Sequence, residues 1–385
     1  MDDEQLPVPQ PIEEGGRLGA DILGPRNPAL ARQSPNLLAP PRTDKGLVPN
    51  VKWPFTFSHQ RIESGGWARE TTARELPVAK SVAGVNMRLV AGGVRELHWH
   101  TASEWAYVLE GRARITAVDQ NGRAFVDDVG KGDLWFFPAG IPHSIQGLEP
   151  RGTEFLLVFD DGNFSEDSTF LLTDWLAHTP RDVLAKNFGW PERVFDTLPD
   201  KELYIFQAPL PGSLEQDRVA GAKTVPQTFS HRMLEQEPQS MPGGTVRIAD
   251  TRNFPVSTTT AAALVELQPG GMREMHWHPN ADEWQYWIDG QGRMTVFAAE
   301  AKARTFDFRA GDVGFVPFAM GHYIENTGET VLRFLELFPS AVFEDVSLAQ
   351  WLALTPRTLV ASHLRIDPAM LDTLPRAKRP VAGGD

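Results

Sequence analysis

One unit occurs twice in this chain, and that repeat restricts the fold more than any other feature. Thr56-Phe57-Ser58-His59 returns as Thr228-Phe229-Ser230-His231, and Arg74-Glu75-Leu76-Pro77-Val78 as Arg252-Asn253-Phe254-Pro255-Val256. Near the end of each copy, Asp174-Trp175-Leu176 answers Gln350-Trp351-Leu352, and Asp196-Thr197-Leu198-Pro199 answers Asp372-Thr373-Leu374-Pro375. Between these markers His98-Trp99-His100, Glu104 and His143 recur as His276-Trp277-His278, Glu283 and His322. A chain of 385 residues is long for one domain, so the repeat reads as two tandem domains. The copies span 56–199 and 228–375, joined by a linker over 200–227 that contains Pro and Gly. Residues 1–55, rich in Pro, Gly, Asn and Arg, read as an extended arm.

Within a copy the pattern is that of short strands. Trp105 to Leu109 runs into Glu110-Gly111, and Arg112 to Val118 follows with alternating polarity, which predicts a hairpin. Gly130-Lys131-Gly132-Asp133 marks a turn before Leu134-Trp135-Phe136-Phe137, repeated as Ala310-Gly311-Asp312 before Val313 to Val316. Helix-like segments close each copy, over Ser168 to Phe188 and Ser347 to Leu364. Many short strands with Gly and Pro turns point to an all-β-dominated antiparallel sandwich or barrel with terminal helices.

Six of the chain's 10 histidines fall in the two clusters. Alternate residues of a strand share a face, so His98 and His100 can reach one ion, as can His276 and His278. Glu104 and Glu283 lie just beyond, and His143 and His322 come from a strand some forty residues later. A lone His-x-His is ordinary in a half-buried strand; a duplicated set of three imidazoles and one carboxylate is a metal's ligand set. Neutral imidazoles with a carboxylate in place of thiolate favour Mn(II) or Fe(II) and leave coordination positions open, although Zn(II) shares these ligand types. By the same alternation Trp99 and Trp277 face away from the metals, onto the outside of the barrel or against a neighbouring domain. Arg95 and Arg273 precede the first histidines by three positions, where strict alternation turns them away; a bulge would bring them to the site as carboxylate clamps.

Composition narrows the partners. A net charge of −13 without a Lys/Arg-rich run argues against nucleic acid and anionic membrane surfaces. The absence of cysteine excludes disulfides, thiolate ligands and cysteine nucleophiles. The acidic, polar start Met1-Asp2-Asp3-Glu4-Gln5 and the lack of any membrane-spanning run lead us to expect a cytoplasmic protein.

The glycines around the ligands make the spacing specific. Gly92, His98, His100, Glu104 and Gly111 match the first cupin motif, and Gly132, Pro138 and His143 the second. The later copy matches with Gly270, His276, His278, Glu283 and Gly290, then Gly311, Pro317, His322 and Asn326. Gly147 and Ala319 depart from the usual Asn and Gly, and neither is a ligand position. Beyond these motifs the chain resembles the bicupin oxalate decarboxylases. The resemblance rests on Arg95-Glu96-Leu97-His98-Trp99-His100, Gly132 to Pro138, Phe155 to Gly162, Asp174 to Pro180 and Glu283-Trp284-Gln285-Tyr286.

That resemblance implies two tandem jelly-roll (double-stranded β-helix) domains, a manganese in each, and conversion of oxalate to formate and carbon dioxide with dioxygen required. It places a mobile lid over the N-terminal metal, matched here by Ser165-Glu166-Asp167-Ser168, with Glu166 as the proton-handling residue and Arg95 near the substrate. Asp167 stands where the family usually has Asn. The copies differ at this point: the first carries three extra residues between Phe159 and Trp175. The second copy has Glu336 where the first has Leu157; an acid in an apolar strand needs a partner, so Glu336 is expected to face the barrel interior, with a metal-tuning or proton-donating role. Arg273 is the second substrate-binding candidate. The family also implies a homo-oligomer, a hexamer of two trimers. The alternatives are an oxalate oxidase giving carbon dioxide and hydrogen peroxide, a bicupin dioxygenase using Fe(II) on an aromatic diol, and a non-enzymatic storage bicupin.

Overall fold

The computed structural model describes residue 25, residues 27–37 and residues 40–383; the first 24 residues of the arm lie outside the described residues. Contacts divide the chain into two compact units. One comprises Phe57–Gln236 with Asp250–Thr260, and the other comprises residues up to Thr56 with Glu237–Ala249 and Ala261–Asp385. The division is therefore not sequential. Each unit is completed by a short strand from outside its own repeat: Ser230–Arg232 pairs with Asp133–Phe137, and Lys52–Pro54 pairs with Asp312–Val316. The arm's described part is fastened to its unit by polar contacts as well. Asn36 hydrogen-bonds Asp307, Asp44 bonds Thr305, and Lys52 pairs with Asp312 at 2.9 Å.

The unit built on the second copy is two antiparallel sheets. Seven strands, centred on Glu283–Asp289 and Leu332–Phe338, form one; the other holds Lys302–Arg309, Gln291–Ala298, Gly321–Asn326 and Gly271–Trp277. Aromatic and branched side chains fill the inside, with Trp284, Trp287, Phe308 and Phe334 essentially inaccessible. In the first unit the sheets merge, because Glu104–Val118 runs unbroken for 15 residues through both.

Here the expected hairpin is not found. Gly111, at φ 77°, bends that strand from one sheet into the other instead of reversing it. A Cβ at Gly111 would meet the Gly152 carbonyl oxygen at 2.0 Å, so no other residue fits the bend. The reversal comes later, and Arg112–Val118 pairs with Ala124–Gly130.

Helices Leu172–Ala177 and Arg181–Phe188 close the first repeat, and Leu348–Leu354 and Arg357–Leu364 the second. Trp99 stacks on Phe170 at 5.6 Å and meets Trp175 edge-on, while Trp277 meets Trp351. Both tryptophans lie among the terminal elements rather than with the histidines. Among the described residues, no helix is long and apolar enough to cross a membrane.

Candidate metal centres

The strands deliver four ligands to one point in each unit. Gly93–Trp99 brings His98 and leads to His100, Glu104 opens the next strand, and His143 lies directly across from His98. In the second unit His276 faces His322 in the same register, with His278 and Glu283 following. All eight side chains are buried, and in each set one ligand atom per residue falls within 4.8 Å of the others.

Ring orientation is fixed from behind. Nδ1 of His98, His100 and His143 faces the carbonyls of Glu96, Ala102 and Ile141 at 2.5, 2.6 and 2.8 Å. Nδ1 of His276, His278 and His322 faces those of Glu274, Glu344 and Met320 at 2.7, 2.7 and 3.1 Å. A carbonyl accepts only, so each Nδ1 carries the hydrogen and each Nε2 presents a lone pair inward. Burial, reinforced by neighbouring His143, Arg95 and His100, pushes His98 well below its ordinary value; burial with Arg273 and His322 does the same to His276. Burial alone would raise Glu104 and Glu283, but positive charge shared with the adjacent histidines outweighs it and holds both carboxyls well below the usual range, a charge that a divalent ion supplies when the imidazoles are neutral.

The inward atoms are then acceptors without donors. Nε2 of His143, His276, His278 and His322 and Oε2 of Glu283 are buried with no hydrogen-bond partner. Such a cluster is costly unless a cation sits in it. Three neutral imidazoles and a carboxylate therefore fit a divalent ion in both units, and the donor set suits manganese.

A β-bulge lies between Arg95 and His98, and another between Arg273 and His276. These supply the break in alternation that the arginines needed, and both guanidinium groups are buried beside the histidines. Their partners differ. Arg95 donates from Nη2 to Glu166 Oε2 at 2.8 Å and from Nη1 to the Tyr204 carbonyl at 3.3 Å, and its Nε has no partner. Tyr204 donates its hydroxyl to the same Glu166 oxygen at 2.9 Å. Arg273 is engaged at every nitrogen: Nε to Glu336 at 3.0 Å, Nη2 to Asp345 at 2.7 Å, Nη1 to the Pro380 carbonyl at 3.2 Å. Asp345 is also bound by Lys378.

Glu166 sits in a short turn, Glu166–Ser168, whose backbone is held by the Glu70 carboxylate and the Ser165 hydroxyl. On its outer side lies a pocket of about 430 Å³ lined by Glu70, Arg74, Arg61 and Tyr204. Asp167 is exposed there.

Four of these residues escaped the sequence reading. Tyr204 belongs to 200–227, whose composition is that of a linker, yet Ile205–Gln207 pairs with the strand bearing Arg95 and the Glu96 carboxylate accepts the Tyr204 N–H. Tyr204 adopts φ 56°, a conformation a bulky residue holds only when its surroundings require it. Glu70 and Lys378 carry no motif. Asp345 was legible in principle, since an arginine beside a lone buried glutamate and a metal asks for a further counter-charge.

Two barrels, each enclosing three histidines and a glutamate, define a two-domain cupin metalloprotein. The cupin family model matches residues 56–194 and 231–372. The oxalate decarboxylase of Bacillus subtilis is 57% identical over 379 residues, covering 98% of each chain. A probable oxalate decarboxylase of Arthroderma benhamiae is 43% identical, covering 98% of this chain and 95% of that one. A solved structure of the Bacillus subtilis oxalate decarboxylase, from work on its Mn(II) centres, superposes with a TM-score of 0.94 at 56% identity, covering 98% and 99% of the two chains. The chain belongs to the bicupin oxalate decarboxylase family.

Proposed function

We propose that this chain is a manganese-dependent oxalate decarboxylase and that the first unit carries the reaction. The observation that carries this reading is Glu166: a carboxyl on a surface loop, reaching inward to Arg95 and Tyr204 beside a complete ligand set. Full-length identity to oxalate decarboxylases supports the substrate. When bound by His98, His100, Glu104 and His143, manganese supplies redox capacity and open coordination positions, with dioxygen as the required co-reactant.

The protein's own groups do the rest. Arg95 offers Nε and, once Glu166 turns aside, Nη2 to a substrate carboxylate in the fork geometry that suits it. Its charge meets the oxalate dianion within an acidic chain. Glu166 takes a proton and returns it to carbon after carbon dioxide has left, so that oxalate and one proton give formate and carbon dioxide. The loop bearing Glu166 supplies reach and excludes water. We assign the second unit, with Arg273 saturated by Glu336 and Asp345, to holding its metal rather than to turnover.

The test is incubation of the manganese-loaded protein with oxalate and oxygen, quantifying formate and peroxide together. Formate in near-equal yield to oxalate consumed is expected; peroxide without formate would indicate an oxalate oxidase instead. We also propose a cytoplasmic hexamer of two trimers. Exposed Trp175, Trp190, Trp351 and Leu354 on the closing elements support self-association, and light scattering would measure it.

A further inference from the structure

We infer that Gln285 is a positioning residue for the second metal: it relays the Trp287 indole so that Glu283 receives the N–H donor that Trp135 delivers directly to Glu104. The inference rests on the two-metal reading above and concerns how each carboxylate is aimed.

In both units Oε2 of the glutamate is the inner oxygen, within 3.4 Å of two histidine Nε2 atoms. The outer oxygen, Oε1, needs a donor, because a buried carboxylate oxygen left bare is costly. In the first unit Trp135 Nε1 donates to Glu104 Oε1 at 2.7 Å. In the second unit the position equivalent to Trp135 is Gly314, and Gln285 Nε2 donates to Glu283 Oε1 at the same 2.7 Å.

The two solutions exclude each other sterically. Ala106 pairs with Trp135 across neighbouring strands, and Gln285 pairs with Gly314 in the same register. Facing positions share one volume, so a large residue on one strand demands a small one on the other. A Cβ at Gly314 would lie 2.3 Å from the Gln285 side-chain oxygen. The glycine clears room for the amide, as Ala106 clears room for the indole.

The indole itself has moved rather than vanished. Trp135 packs on Phe155 at 5.2 Å; in the second unit Trp287 packs on the equivalent Phe334 at 5.1 Å. Trp287 is four residues beyond Glu283 on the same face of one strand, too far along to replace Trp135 directly. Its Nε1 donates to Gln285 Oε1 at 3.3 Å. That contact fixes which end of the amide points where, leaving Nε2 for Glu283. Glu283, Gln285 and Trp287 are all fully buried, so no solvent replaces a missing link.

The test uses the full-length, manganese-loaded protein and two readouts besides activity. One is manganese retained per chain against a competing chelator; the other is the fine structure of the Mn(II) electron paramagnetic resonance signals. Gln285→Met keeps the length but removes the N–H. It is expected to release one of two manganese equivalents roughly 10–100-fold more readily, as outer partners of metal ligands commonly do. It should also shift one of the two Mn(II) spectra and leave the other unchanged. The exchange Gln285→Ala/Gly314→Trp/Trp287→Val, which copies the first unit's Ala106, Trp135 and Val108, should restore both readouts. Trp287→Phe, which keeps the packing but not the indole donor, should give an intermediate loss and stands in if the exchange does not fold. Gln285→Met with unaltered retention and spectra overturns the inference, as does a folded exchange variant that restores neither. A wild-type protein holding one manganese equivalent overturns the two-metal reading as well, so the two failures are distinguishable.

Discussion

The two arginine sites differ more than the two ligand sets do. Arg95 and Arg273 occupy the same position after the same bulge, three residues before a metal-facing histidine. Arg95 is held by one carboxylate that rides on a loop, with a nitrogen to spare. Arg273 is clamped by two carboxylates from fixed, fully buried positions, one of which is also tied to Lys378. A duplicated metal site thus diverges through its neighbours: one guanidinium is held by a single loop carboxylate and can change partners, and the other cannot without leaving buried charge exposed to apolar surroundings.

The sharpest way to break this comparison is to neutralise one acid in each unit. Glu166→Gln is expected to lower formate production by roughly 10²–10⁴-fold, the usual worth of a positioned acid–base. Glu336→Gln, measured alongside, should change the turnover rate less than about fivefold. Equal losses would place the chemistry in both units. Full formate production from Glu166→Gln would remove the proton-transfer assignment.

Stability should invert that ranking. Arg273→Leu strands Glu336 in an interior with no solvent access and leaves Asp345 to Lys378 alone, a change of about 3–5 kcal/mol for a broken buried pair. Arg95→Leu frees Glu166 to turn outward on its loop, so it should cost about 1–2 kcal/mol. Chemical denaturation of the two variants compares them directly, and a larger loss from Arg95→Leu would contradict the clamped and unclamped assignments.

Tyr204 offers a finer cut. It is a second donor to Glu166 and lacks an equivalent hydroxyl at the second site, where Pro380 supplies the carbonyl that meets the arginine. Burial pushes its phenol well above the ordinary range, so it stays a donor throughout. Tyr204→Phe removes one hydrogen bond of about 1 kcal/mol, or roughly fivefold in kcat, with the first-unit metal retained. An unchanged kcat would mean that Arg95 alone orients Glu166.

Much of this was legible in the repeat. The ligands, the strand-rich fold and the closing helices follow from motif spacing and period, because alternation in a strand and glycine at tight turns are local properties. What escaped depended on segments meeting from far apart. The bulges that turn Arg95 and Arg273 inward leave no mark in composition, and Tyr204 lies in a stretch whose prolines and glycines resemble a connector. The Gly111 bend looks like a reversal in sequence, since a glycine at positive φ serves both purposes and only the close approach of Gly152 decides between them. Gln285 and Gly314 are individually unremarkable; their meaning appears once register sets them against Ala106 and Trp135.

The smallest expected effect concerns Asp167, which has no bearing on the ligands and none on the fold. Its side chain is exposed, one residue beyond Glu166 in the same turn, and its backbone N–H bonds the Ser165 hydroxyl. Asn at this position would keep the turn and remove only the charge. An exposed charge of this kind is worth about 0.2–1 kcal/mol at close range and is screened by salt. It opposes closure of an already acidic loop over an oxalate dianion, and a loop slower to close delays the return of the proton from Glu166, leaving more oxalate to be oxidised fully by dioxygen, with two protons taken up and two carbon dioxides and hydrogen peroxide formed. Asp167→Asn should therefore lower the peroxide-to-formate ratio by about twofold at low ionic strength, with the difference from wild type fading as salt is raised. Equal ratios in both proteins at low salt would show that the charge is inert. A difference that persisted at high salt would instead trace the change to hydrogen bonding within the turn, and Ser165→Ala would then reproduce it.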